Sequence, residues 1–453
     1  MPCALSLVPL IYTLNNIMLP KASRRGSKNS SHPPIKIPEL LAPAGNFEKM
    51  ITAIHYGADA VYCGGKKYSL RAHAGNFSDK QLAEAIAYAH ERGVKLYVTV
   101  NIFAHMEDLQ GLEKYLLFLR DIQVDGIIIS DPGILALAKE ICEIPVHLST
   151  QANVTNPANA KFWEAQGVAR LNVARELSLV EIAEIRKSLD ETTLIEVFVH
   201  GALCISYSGR CLLSYYFTGR DANRGECAHP CRYKYVLKEE KRPGQYFPVE
   251  EDEHGTYIFN SKDLCLLSKL PQLINIGVDS LKLEGRMKTV YYVGAVVRVY
   301  RAAIDYIAQN IEEALANNRM ISLPPVYMDE LMKVGTRGYT ENFIFGPPSA
   351  EDMLYDRSRT DQEYVPVGLV QGFGGSVEEG KWLEVEMRSP LRKGETIEYL
   401  CRDINVVSFE VLELLDQHGI PLEQANPGNI VKIHYGSEVD TAWEVNGLLR
   451  MKK

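Results

Sequence analysis

Short apolar runs alternate with longer amphipathic stretches from Glu39 onward. Eight of the runs have the length and composition of buried strands: Leu40–Ala42, Ala58–Cys63, Lys95–Asn101, Gly126–Ser130, Val146–Ser149, Arg170–Val173, Ile195–Val199 and Ser280–Leu283. Helical periodicity fills most of the intervals: Asp79–Glu91, Met106–Asp121, Gly133–Ile141, Ala158–Gln166 and Ser178–Lys187. This alternation predicts an α/β fold with parallel strands and crossover helices. Eight repeats over about 250 residues favour a closed, TIM-like (β/α)8 barrel over an open sheet.

The pattern changes in the last third of the chain. A long helix is predicted at about Val290 to Ala316. From Tyr364 the sequence alternates apolar and polar residues between Gly, Pro and Asp, which predicts a small antiparallel β-barrel domain. Its predicted strands are Val367–Gln371, Trp382–Met387, Glu395–Leu400, Val406–Leu414 and Ile430–His434. We therefore divide the chain into a disordered tail (1–35), a barrel (36–320) with an insertion at 201–260, a connector (321–363) and a β domain (364–453).

Composition narrows the classes of protein that fit. The 453 residues are 46% hydrophobic and 23% charged, as in ordinary soluble domains, and no apolar run is long enough to predict a membrane span. The net charge of −8 provides no global attraction for nucleic acid, so any RNA contact would need a local basic patch. Nine cysteines are too few, and odd in number, for a disulfide scaffold, which favours a reducing cytoplasm.

Polar residues follow the predicted barrel strands at their carboxyl ends, where TIM-like barrels carry their active sites. The candidates for substrate binding are Arg71, Asn101, Gln151, Asn153, Arg175, Lys282 and Arg286. The candidates for catalysis are Glu196, His200 and Glu284. Glu196 and His200 are four residues apart on one strand, so alternation places them on the same face as a base and its orienting partner. A buried, satisfied polar pair explains them equally well.

Four cysteines lie within the insertion: Cys204, Cys211, Cys227 and Cys231. They could form disulfides, bind zinc, bind an iron–sulfur cluster or pack as unrelated buried thiols. Structural zinc sites usually show two close pairs, and only the second pair here is close. Iron–sulfur clusters accept looser spacing. Arginines interleave with the cysteines and favour thiolates, so ligation of a metal or cluster is the preferred interpretation.

A protease function receives little support from the sequence. There is no H-E-x-x-H and no G-x-S-x-G motif. A cysteine nucleophile, Cys204 beside His200, is conceivable. Four clustered thiols in an Arg-rich loop fit ligation better than they fit a single nucleophile.

Several motifs resemble one known family. The stretch from Glu196 to Cys211, with H-G-A-L-C and S-G-R-C, is similar to the signature of the collagenase-like peptidase family U32. R-D-A-N-R-G-E-C at 220–227, N-S-K-D-L at 260–264 and L-K-L-E-G-R at 281–286 resemble its tRNA 5-hydroxyuridine synthase branch more closely. E-L-L-A-P-A-G-N at 39–46 and H-L-S-T-Q-A-N at 147–153 agree, so the resemblance covers about residues 36 to 435.

The resemblance implies a function and its cofactors. It implies an enzyme that hydroxylates C5 of the wobble uridine of tRNA and depends on a 4Fe-4S cluster and on prephenate, a dicarboxylate. Cys204, Cys211, Cys227 and Cys231 would then be the cluster ligands, with Cys265 in reserve. The basic residues that would hold prephenate are Arg71, Arg175, Lys282 and Arg286. Tyr207, Tyr215, Tyr216 and Tyr233 could stack an unpaired base. The alternatives are a cysteine- or metal-dependent peptidase, the family's historical label, and a barrel that only binds RNA.

Overall fold

Eight parallel strands close into a barrel. The computed structural model describes residues 35–70, 75–204, 211–222, 225–232, 251–252, 255–256, 262–317, 319–346, 362–376, 380–439 and 441–453. The barrel strands are β1 (Glu39–Pro43), β2 (Ala60–Gly64), β3 (Lys95–Val100), β4 (Gly126–Ile129), β5 (Val146–Leu148), β6 (Arg170–Asn172), β7 (Leu194–Gly201) and, after the insertion and one further strand, β9 (Ser280–Leu283). Each strand pairs with the next in parallel, and β9 closes the barrel by pairing with both β7 and β1. The predicted TIM-like barrel is confirmed.

Helices fill the crossovers, and most of them are fixed at their starts by side-chain caps. They are α1 (Phe47–His55), α2 (Asp79–His90), α3 (Leu112–Asp121), α4 (Pro132–Ile141), α5 (Pro157–Ala165) and α6 (Leu179–Ser188). Asp131 accepts hydrogen bonds from the backbone N–H groups of Gly133 and Ile134, which makes it the N-cap of α4. The third helix was predicted to start at Met106, but it starts six residues later, after Gly111 adopts a left-handed conformation.

The insertion returns to the barrel beside β7. The insertion contains α7 (Leu213–Thr218), and the strand that follows the insertion, β8 (Asp263–Cys265), runs antiparallel to the end of β7, with Cys265 opposite His200. A further strand, β10 (Tyr339–Thr340), pairs with β8. Since β8 is joined to the carboxyl end of β7, the insertion starts and finishes at the barrel mouth. Within the described ranges, no helix is long and apolar enough to cross a membrane.

The C-terminal domain is a curled antiparallel sheet. Its strands are β11 (Tyr364–Gly374), β12 (Lys381–Met387), β13 (Thr396–Leu400), β14 (Val406–Glu410), β15 (Glu413–Leu415), β16 (Ile430–Tyr435) and β17 (Leu448–Lys452). The order is β14-β13-β17-β11-β12-β16-β15. The two edge strands are separated by only Val411 and Leu412, so the sheet must curl until its edges meet around one apolar core. The predicted antiparallel β domain is confirmed, although the strand predicted at Val406–Leu414 is two strands.

The short helix α8 (Leu270–Ile276) precedes β9. After the barrel, the long helix α9 (Val290–Ala316) and the short helix α10 (Val326–Met332) connect the two domains. The Arg298 guanidinium on α9 donates to the Glu330 carboxylate on α10 at 2.9 Å, and Arg450 of the β domain donates to the same carboxylate at 3.0 Å. All three side chains are buried. A buried ionic junction therefore holds the β domain against the outer face of the barrel.

Acid is expected to weaken this junction. Burial alone would raise the pKa of Glu330, but hydrogen bonds and charge from Arg450, Lys333 and Arg298 outweigh it and lower the pKa to about 2. A depressed pKa contributes stability that is complete above about pH 4.5 and is lost as the pH falls toward 2. Urea unfolding midpoints should decrease over this range, and the decrease should be smaller in Glu330→Gln. Equal pH dependence in both proteins would contradict the assignment.

Candidate active site at the barrel mouth

A cavity of about 260 Å³ opens at the carboxyl ends of the barrel strands. Its lining combines aromatic, amide, basic and cysteine side chains: Tyr62, Asn101, Gln151, Asn172, Arg175, Phe198, Cys204, Cys211, Cys227, Cys231, Lys282, Glu284 and Arg286, among others. The mixture of apolar walls and a few converging polar groups is typical of a small-molecule or active site.

All four cysteines of the insertion line this one cavity. Cys204 is exposed, the other three are half-buried, and none forms a disulfide. The loop that carries Cys227 is tied to α7 because the Ala228 N–H donates to the Ser214 hydroxyl at 3.0 Å. Among the described residues, no group of three or more His, Cys, Asp or Glu side chains is close enough to hold a single metal ion.

Cys265, the reserve ligand, lies elsewhere. Its side chain is buried and its sulfur is 3.8 Å from the Tyr300 hydroxyl of α9. Burial raises the pKa of this thiol, so it stays protonated at neutral pH. The cavity lining includes the other four cysteines and not this one.

Glu196 is the centre of an ionic network inside the barrel, beneath the cavity. Its carboxylate accepts from Lys282 Nζ at 2.7 Å, from Asn172 Nδ2 at 2.9 Å and from Arg170 at 3.2 Å. Burial alone would raise its pKa, but the charges of Lys282 and Arg170 outweigh it and lower the pKa to about 2. Burial lowers the pKa of Lys282 itself. Lys282 lines the cavity, and it is anchored by Glu196, which does not line the cavity.

His200 does not share the environment of Glu196, contrary to the expectation from strand alternation. The register of β7 against β9 shifts, so that Lys282 pairs with Phe198 while the next residue, Leu283, pairs with His200. This bulge turns the imidazole outward, against Tyr300 and Tyr339, with ring centroids at 5.4 Å from each. Burial lowers the pKa of His200 to about 4, so the ring is neutral at pH 7.

Arg286 is held rigidly at the rim. Its guanidinium donates to the Ser69 hydroxyl at 3.1 Å, the Leu70 carbonyl at 3.0 Å and the Asn76 amide oxygen at 2.6 Å. Arg175 donates to the Ala202 carbonyl at 3.0 Å. These hydrogen bonds position both guanidinium groups at the cavity.

Glu284 approaches the end of β7 closely. Gly201 has a φ of +114°, and a Cβ atom there would lie 2.7 Å from the Glu284 carbonyl oxygen. Only glycine satisfies both the backbone conformation and this approach. The strand end and the Glu284 loop are therefore packed directly on each other beside the cysteines.

The predicted site residues separate into three groups. The lining contains four cysteines, five of the predicted binding residues and one predicted catalytic residue: Cys204, Cys211, Cys227, Cys231, Asn101, Gln151, Arg175, Lys282, Arg286 and Glu284. Glu196, His200, Asn153 and Cys265 are absent from it. Arg71, Tyr207 and Tyr233 lie outside the described residues, as do residues 1–34 of the tail that was predicted to be disordered. Sequence reasoning missed Asn172, Phe198 and Tyr62, although inward alternation on short strands could have identified them.

Comparisons with known proteins show the family to which this chain belongs. The family described as Peptidase family U32 matches residues 45–354, and its C-terminal domain matches residues 362–450. The tRNA hydroxylation protein P1 of Bacillus subtilis is 38% identical over 406 residues, which cover 89% of this chain and 93% of that protein. The tRNA hydroxylation protein P of Escherichia coli is 41% identical over 347 residues, covering 68% of this chain and 74% of that protein. The 23S rRNA 5-hydroxycytidine synthase of Escherichia coli is 37% identical over 306 residues, covering 68% of this chain and 45% of that protein.

The chain belongs to peptidase family U32. Within that family it is similar to proteins named for RNA hydroxylation, in agreement with the motif resemblance of the sequence.

Proposed function

We propose that this protein is a tRNA hydroxylase that forms 5-hydroxyuridine at the wobble position, with a 4Fe-4S cluster as cofactor and prephenate as small co-substrate. The observation that supports it most directly is that four cysteines line one cavity with basic and amide side chains at the mouth of a barrel. The relatives named for tRNA hydroxylation supply the reaction class. The cytoplasm, where tRNA is found, is the proposed location.

The donor set fits an iron–sulfur cluster. Cys204, Cys211, Cys227 and Cys231 provide four soft sulfur ligands in one cavity, without disulfides. A cluster is wider than one ion, so its ligands need not converge on a single point. When bound, such a cluster exchanges single electrons. The chain's own residues would hold it at the rim and leave the barrel interior for the substrates.

The basic residues of the lining fit a dicarboxylate. Arginine binds carboxylates through paired N–H groups. Arg175 and Arg286 donate to the Ala202 and Leu70 carbonyls at the rim, and Lys282, which is paired with Glu196, lies at the floor. Arg71 remains a predicted fourth contact.

Exposed aromatic residues beside the cysteines fit an RNA substrate. Tyr215 and Tyr216 on α7 are 60% and 80% exposed, respectively. Unstacked bases pack on such side chains. Because stacking is a local contact, it does not require a positive net charge, and the net charge of this chain is negative. The cysteine-peptidase alternative that pairs Cys204 with His200 loses its base, because His200 is buried against α9 and does not line the cavity with Cys204.

Complementation tests the proposed reaction. A bacterial strain that lacks its own tRNA uridine hydroxylases should regain 5-hydroxyuridine-derived nucleosides when this chain is expressed, as measured by mass spectrometry of digested tRNA. The same strain with an empty vector is the control. If the nucleosides stay absent although the chain is soluble and loaded with iron, the proposed reaction is wrong.

A further inference from the structure

Two buried amide side chains in the cavity each have one atom without a partner. They are Gln151 Nε2 and Asn172 Oδ1; both residues line the cavity and are at most 4% exposed. A buried polar atom without a partner has lost its hydrogen bonds to water and lowers stability. A ligand that supplied both partners would recover this cost on binding.

A chain of hydrogen bonds fixes which end of Gln151 is unpaired. The backbone N–H of Leu70 can only donate, so the Asn101 atom that it meets at 3.2 Å is the amide oxygen. Asn101 Nδ2 therefore faces Gln151 and donates to its Oε1 at 2.6 Å. Ser149 also donates to that oxygen, at 3.1 Å. The remaining end of Gln151 is the NH2 group, a donor.

The hydrogen bond to Glu196 fixes the orientation of the Asn172 amide, and here the unpaired atom is the oxygen rather than the nitrogen. The Glu196 carboxylate is ionised at neutral pH and can only accept, so it binds Asn172 Nδ2, at 2.9 Å. The remaining atom, Oδ1, is an acceptor. Leu148 and Leu171 pair across β5 and β6. The residues that follow them in the chain, Ser149 and Asn172, are therefore neighbours. Because Gln151 folds back onto Ser149, the donor and the acceptor come from adjacent positions of the rim.

We propose that Gln151 and Asn172 are the base-reading residues of the cavity, with Gln151 donating to O4 and Asn172 accepting from N3–H of an unstacked uracil. This rests on the proposed tRNA hydroxylase function. Enzymes that modify a base read its Watson–Crick edge after taking it out of the stack. Phe198 and Tyr62 line the same cavity and supply aromatic surface for the ring.

The arrangement discriminates among the candidate occupants of this part of the cavity. A carboxylate presents only acceptors and would leave Asn172 Oδ1 unsatisfied, so the dicarboxylate belongs with Arg175 and Arg286. Cytosine presents an acceptor at N3, which would face the oxygen of Asn172. The amide pair therefore selects uridine over cytidine, and the loss of one such hydrogen-bonding group changes discrimination strongly.

The test is the base selectivity of Gln151→Glu. The change keeps the oxygen that accepts from Asn101 and replaces the donor by an acceptor. Variants are expressed in the hydroxylase-deficient strain with two reporter tRNAs that carry uridine or cytidine at the target position, and both 5-hydroxylated nucleosides are quantified. The control is Gln81→Glu, the same chemical change at an exposed position of α2 whose capping bond glutamate also makes.

We expect hydroxylation of uridine to fall at least tenfold in Gln151→Glu while hydroxylation of cytidine does not fall, so that selectivity falls at least tenfold. The control should match the wild type. An unchanged selectivity, or an equal loss on both reporters including complete loss, would overturn the base-reading role. If the wild type hydroxylates neither reporter, the proposed function fails instead, which separates the two conclusions.

Discussion

Cys211→Ala is expected to abolish hydroxylation and to remove most of the iron from the protein. Cys211 lies two residues before α7 and lines the same cavity as Cys204, Cys227 and Cys231. A cluster held by four thiolates tolerates the loss of one ligand poorly. We expect activity to fall at least 100-fold, about 2.7 kcal/mol in transition-state stabilisation.

Two other cysteines provide matched controls for this prediction. Cys265→Ala removes the buried thiol beside Tyr300, and Cys401→Ala removes a half-buried thiol in the β domain. Both should keep their iron and their activity in the complementation strain. Full activity in Cys211→Ala, or loss of iron in Cys265→Ala with retention in Cys211→Ala, would show that the ligand set is wrong.

Glu196→Gln is expected to have the largest effect on stability. Lys282 would lose the carboxylate that it contacts at 2.7 Å, while both residues are almost fully buried. Removing one partner of a buried ion pair typically costs about 3 to 5 kcal/mol, because a charge is left uncompensated. Arg170 keeps Glu39 as a second partner, so the deficit falls mainly on Lys282. The decrease should appear in the free energy of unfolding measured with urea at pH 7.

A double substitution separates the charge effect from a packing effect. Adding Lys282→Met to Glu196→Gln removes both charges and should recover most of the lost stability. The exposed pair Lys80–Glu84 is the comparison, because Glu84→Gln should change stability by less than about 1 kcal/mol. No recovery in the double variant would mean that Glu196 stabilises the barrel through its shape and hydrogen bonds to Asn172 and Ser280 rather than through charge.

Strand and helix periodicity was sufficient to predict the barrel, because each of its eight strands is a short apolar run between amphipathic stretches. The last strand of the β domain, Leu448–Lys452, was missed because it follows the turn-rich segment after Tyr435. The start of α3 was misplaced because residues 106–111 have a helical pattern but end in a left-handed glycine.

The candidate site was predictable where the chemistry is local in sequence. Four cysteines in one insertion indicated a common site, and all four line the cavity. His200 was misplaced because a bulge in β7 changes the direction of its side chain without any trace in the alternation of the sequence. Alternation on β6 could have placed Asn172 at the cavity, but the contact with Glu196 that orients its amide comes from another strand and leaves no pattern in the sequence.

Iron and sulfide analysis of the wild-type protein, purified without oxygen, tests the central claim most directly. The proposed function predicts a brown protein with about four iron and four sulfide atoms per chain. A colourless protein that contains one zinc ion, or no metal, while complementing tRNA hydroxylation in cells, would contradict the assignment of the four cysteines as cluster ligands.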